Sequence, residues 1–95
     1  MKGDKITFRA HAIQRMFERK VSEDDVCEVI KTGEVIEDYP DDTPYPSALM
    51  LGQRESRPIH VVVAYNESDD ETIVITAYEP DTEQWDDEFK KRRKP

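Results

Sequence analysis

Ninety-five residues, 36% of them hydrophobic and with a formal net charge of −8, suit one small domain and leave no material for a second core. No apolar run approaches the roughly 18 residues of a membrane span. Asp4 and Lys5 interrupt any signal-peptide core, and the single Cys27 excludes an intrachain disulfide framework or a cysteine-built zinc site.

The charge argues against general binding to DNA or membranes, and a cytoplasmic protein is expected. Its distribution is uneven. Residues 1–20 sum to +4 and 21–50 to −8; residues 67–89 sum to −10 and 90–95 to +5. Such blocks mark partner surfaces or merely solvated faces.

In chain order, Ile6-Thr7-Phe8 alternates as a short edge strand or an ordered arm. His11 to Lys20 has the period of a helix, with Ala12, Ile13, Met16 and Phe17 spaced to share its buried face. Ser22 and Asp25 have the spacing of a capping box for a second helix. Val26, Val29 and Ile30 form that helix's apolar stripe, and Gly33 fits a left-handed residue just past its end. Gly33 to Tyr39 is a candidate strand, followed by a loop holding Pro40, Pro44 and Pro46. Ser47 to Arg54, Pro58 to Tyr65 and Thr72 to Tyr78 read as strands joined by short turns, hence antiparallel neighbours. Strict alternation places Thr72, Val74, Thr76 and Tyr78 on one face, and Ile73, Ile75 and Ala77 on the helix-facing side. Gln84 to Lys91 reads as a short helix turning Trp85 and Phe89 inward. The expected fold is α+β over residues 1–89: two N-terminal helices on a three- to four-stranded antiparallel sheet. The basic residues 90–95 are expected to form a disordered tail.

His11 and Arg15, spaced i, i+4, project from one side of the first helix. That pairing suits phosphate chemistry, in which arginine holds the anion and histidine moves a proton. It equally suits a helix-end histidine beside a surface arginine. His60 lies in the strongest strand, where antiparallel pairing brings it toward Thr76 or Tyr78 with Arg54 on the flanking strand. A strand histidine is also commonly structural. Together these groups are the minimum set for metal-free RNA cleavage: one removes the 2′-hydroxyl proton, another protonates the leaving 5′-oxygen, and cations stabilise the phosphorane. Asp41-Asp42 and Asp69-Asp70-Glu71 lack the EF-hand pattern and read as solvated loops. No metal or cofactor is expected, and the sequence sets no oligomeric state.

The blocks His11-Ala12-Ile13-Gln14-Arg15-Met16, Arg57-Pro58-Ile59-His60 and Thr76-Ala77-Tyr78-Glu79-Pro80 resemble the family called domain of unknown function 4258. The resemblance runs from about Ile6 to Phe89, and that family is distantly similar to RelE/ParE-like toxins. It implies a RelE-like fold and an endoribonuclease toxin held by an antitoxin protein, with RNA as substrate. On that reading His11, Arg15, His60 and Tyr78 are catalytic, and Arg54, Thr76 and Arg19 bind substrate. The competing reading is a non-catalytic protein-interaction module with structural histidines.

Overall fold

A computed structural model of the chain describes residues 5–92. The elements run β1 (Lys5–Phe8), α1 (Ala10–Arg19), α2 (Glu23–Thr32), β2 (Glu34–Tyr39), β3 (Ser47–Arg54), β4 (Arg57–Asn66) and β5 (Glu71–Tyr78). The strands form one sheet in the order β1-β5-β4-β3-β2. The α+β class and the two helices agree with the sequence reading, but the sheet does not. It has five strands rather than three or four, and it is mixed: β1 lies parallel to β5, with Lys5 opposite Glu71 and Phe8 opposite Val74. Short turns reveal consecutive antiparallel neighbours, whereas a parallel partner is reached only through a long crossover. Here that crossover is everything from α1 to β4, so no local signal announced it.

The capping box of α2 is present: the Ser22 hydroxyl accepts the Asp25 N–H at 3.0 Å, and the Asp25 carboxylate accepts the Ser22 N–H at 3.1 Å. Gly33, however, is extended, with φ −77°. Its lack of a side chain serves close packing instead, since a Cβ there would stand 2.5 Å from the Leu51 carbonyl oxygen and 2.6 Å from that of Val29. On α1 the expected buried face is half right. Ala12 and Met16 are buried, while Ile13 and Phe17 face outward.

Residues directly opposite in an antiparallel ladder share a face. Met50, Val61 and Ala77 are aligned in this way and meet Ala12, Met16, Val26 and Val29 of the helices in the main core. Leu51, His60 and Tyr78 are aligned on the other face. The β5 alternation is broken by a bulge: Val62 pairs with Thr76 and Val63 with Val74, leaving Ile75 unpaired. The bulge flips the faces, so Val74 and Ala77, three apart, both reach the core.

The second face is covered as well. Leu49, Leu51, His60 and Trp85 are all buried, the last on the segment 79–92 that crosses this face. That segment is a series of turns, not the expected helix. Asp81 accepts the Glu83 N–H at 2.8 Å, and Asp86 accepts the N–H groups of Glu88 and Lys90 at 3.1 and 3.2 Å. These side chains take up donors that would otherwise enter a helix, and Phe89 adopts φ 62°. Lys90 pairs with Glu34 at 3.1 Å and Arg92 with Glu37 at 3.7 Å. The rest of the basic tail, residues 93–95, lies outside the described residues.

Candidate functional site

The alignment of β4 with β5 sets His60 opposite Tyr78. His60 is 0% exposed, and its Nε2 lies 2.8 Å from the Phe89 carbonyl oxygen. A carbonyl only accepts, so Nε2 carries the proton and Nδ1 presents its lone pair. The Tyr78 hydroxyl stands 3.4 Å from that Nδ1 and can donate to it. Trp85 closes the imidazole from the other side in an edge-to-face contact at 4.4 Å. Burial pushes the His60 pKa below the usual histidine value, against the opposing pull of the Phe89 carbonyl. Burial likewise pushes the Tyr78 phenol up.

Tyr78 opens onto a cleft of about 500 Å³ lined by Arg19, Tyr78, Glu79, Asp81, Gln84, Trp85 and Arg92. Arg19 comes from the last turn of α1. Its guanidinium donates to the Thr76 hydroxyl at 3.3 Å and to the Ala77 carbonyl at 3.1 Å, and lies 5.9 Å from the Tyr78 ring centroid. Arg92 sits over Trp85 at 4.7 Å. Two guanidinium groups therefore border one phenol, with a neutral imidazole behind it.

Of the candidates read from the sequence, the fold gathers Arg19, Thr76, Tyr78 and His60. His11 and Arg15 line a different groove of about 310 Å³ with Gln14 and Glu18, on the outer side of α1. Arg54 is directed elsewhere, donating to Asp25 at 3.1 Å beside the start of α2. There burial raises the Asp25 carboxyl, but the Ser22 N–H and Arg54 outweigh it and hold the pKa below its usual value. Arg92 and the Phe89 carbonyl are site components that sequence reasoning missed, and Trp85 was expected to face inward but not to close over the histidine. They come from a segment with no strand or motif signal, and only the chain's single tryptophan hinted at an anchor. The loop carboxylates serve their neighbours: Ser47 donates to Asp42, Asn66 to Asp69 and Tyr65 to Asp70. Among the described residues, no group of three or more His, Cys, Asp or Glu is placed to hold a metal ion. None of the helices there is long and apolar enough to cross a membrane.

The family model described as Domain of unknown function (DUF4258) matches residues 8–79. The chain belongs to this family. The matched span holds α1 with Arg19, and the paired His60 and Tyr78. It stops before Trp85 and Arg92, so the segment closing the cleft is contributed from outside it. No curated protein and no solved structure matches the chain.

Proposed function

We propose that this domain is a RelE-like, metal-independent endoribonuclease of the toxin type, acting in the Arg19–Tyr78–Arg92 cleft. The observation that carries the reading is the pair of guanidinium groups beside a phenol that is hydrogen-bonded to a neutral imidazole. In this scheme Arg19 and Arg92 hold the scissile phosphate and stabilise charge on the phosphorane. The Tyr78 oxygen takes the 2′-hydroxyl proton and passes its own proton to His60 Nδ1. The 2′-oxygen–phosphorus bond forms, the phosphorus–5′-oxygen bond breaks, and water protonates the leaving oxygen; the hydroxide left takes the proton that His60 returns through Tyr78. Two helices set on one side of a sheet support the RelE-like resemblance, and an antitoxin would then be the natural partner.

The test is cleavage of a fluorescent RNA in chelator. Arg19→Ala and Tyr78→Phe should each lower the rate about 10²–10³-fold with the fold intact. Full activity in both variants would sink the proposal. One observation favours the second reading, a non-catalytic interaction module: His60 has no exposed surface and cannot touch substrate directly. Under that reading the wild-type chain cleaves nothing, and replacing His60 affects stability alone.

A further inference from the structure

The outer side of α1 is not explained by the cleft. Ala10, Ile13 and Phe17 are spaced i, i+3 and i+7, so they form one stripe about 10 Å long. Phe17 is 86% exposed and Ile13 46%. At the N-terminal end of the stripe, Arg9, Ala10, His11 and Ile75 line an open groove of about 360 Å³. Ile75 is the bulged residue of β5, without a partner on β4, and it gives that groove an apolar wall.

Positive charge lies at both ends of the stripe. Residues 9–20 carry four basic side chains and one acidic one in a chain of net charge −8. Lys5, Arg54, Arg57, Lys90 and Arg92 pair with carboxylates, whereas among the described residues Arg9 and Lys20, at the two ends of the stripe, have no carboxylate partner. An exposed phenylalanine in line with a groove that has one apolar wall suits an apolar anchor, and the unpaired cations at the ends of the stripe suit flanking carboxylates.

We propose that this stripe docks an acidic amphipathic helix of a separate polypeptide, with one apolar side chain in the groove beside Ile75 and carboxylates facing Arg9 and Lys20. A second copy of this chain is a poor donor. Its acidic helix, α2, already commits Val26 and Val29 to its own core. The proposal does not depend on RNA cleavage; under the toxin reading the occupant is the antitoxin.

The test uses a fluorescein-labelled helical peptide of about 20 residues, with leucines at i, i+3 and i+7 and glutamates flanking them. A twin peptide carries lysines in place of the glutamates. Fluorescence anisotropy should show saturable binding of the acidic peptide and at least about tenfold weaker binding of its twin, a difference of about 1.4 kcal/mol. Phe17→Gln should weaken binding by at least about tenfold at unchanged melting temperature, because that side chain is 86% exposed. Arg9→Glu should weaken it as well, whereas Arg15→Glu, two residues from both Ile13 and Phe17 and so on the other side of the helix, should not. No saturation of the acidic peptide up to about 1 mM, or equal binding by Phe17→Gln, overturns the proposal. So does wild-type self-association that Phe17→Gln abolishes, since the occupant is then a second copy. Displacement of the bound peptide by a short RNA that itself needs Phe17 overturns it in favour of RNA.

Discussion

An imidazole cut off from water by Trp85, with its Nε2 proton committed to the Phe89 carbonyl, is neutral at rest, and its protonation opposes folding. The unfolded chain's imidazole titrates near ~6.5, and burial holds the folded one lower. Between those values the unfolded chain binds more protons. The stabilisation is therefore complete above pH ~6.5 and is lost as pH falls through that value toward the folded pKa, by at most about 1.4 kcal/mol per unit. Urea midpoints should drop from about pH 7.5 to about 5.5, and His60→Gln should flatten that slope. A wild-type profile flat across this window would show that His60 is solvated. Asp25 and Asp86, whose pKa values lie below the usual carboxylate range, act only below pH ~4 and leave the window clear. Gly33 makes a second prediction on the same scale. Its extended backbone suits any residue, yet a Cβ would strike two main-chain oxygens that cannot rotate away. Gly33→Ala and Gly33→Asn should both cost about 2 kcal/mol or more in denaturant titrations. If a left-handed backbone were the reason for glycine, Asn would be tolerated much better than Ala.

Legibility at the scale of elements followed how local the cause was. α2 was readable because Ser22, Asp25, Val26 and Val29 carry its cap and stripe within eight residues. The strands β3, β4 and β5 were readable from their apolar runs and short turns. The side-chain faces of β5 were not, because the bulge at Ile75 shifts the alternation and nothing in Ile73-Val74-Ile75 marks which residue is extruded. On α1 the apolar positions at 12, 13, 16 and 17 span more than one face, and packing against β5 selected Ala12 and Met16. The candidate site was half legible. His60 beside Tyr78 and Thr76 follows from strand pairing, while Trp85 and Arg92 arrive through turns organised by Asp81 and Asp86. That segment also carries a prediction. Trp85 is 2% exposed and packs edge-to-face against the buried His60, so Trp85→Ala should cost about 3–5 kcal/mol. A loss under about 1 kcal/mol in the urea midpoint would mean that 79–92 rests loosely on the sheet.

For the whole molecule, the charge map and the layers fit together. Helices cover one face of the sheet and segment 79–92 covers the other, where Lys90 and Arg92 bridge to the acidic strand β2. Acidic side chains still outnumber basic ones by eight, so folding gathers like charge into a body with a radius of gyration of 12.9 Å. Long-range repulsion falls off over about 10 Å at 0.1 M salt, whereas the ion pairs at contact distance are weakened less. Raising sodium chloride from about 0.05 to 0.5 M should therefore raise the melting temperature by a few degrees. A fall would mean that the short ion pairs outweigh the net repulsion.

The parallel alignment of β1 with β5 also fixes how the molecule bears a load. The chain enters β1 at Lys5 and leaves β5 at Tyr78, and the two strands run side by side in the same direction. Tension applied at these two points drags the strands past each other along their length. The rungs between them are strained together in shear rather than opened one after another like a zipper. A hairpin of equal length pulled from its open end yields rung by rung. Held at Lys5 and Tyr78 in an optical trap, this domain should resist to a higher peak force than when held across the β3–β4 turn and β2.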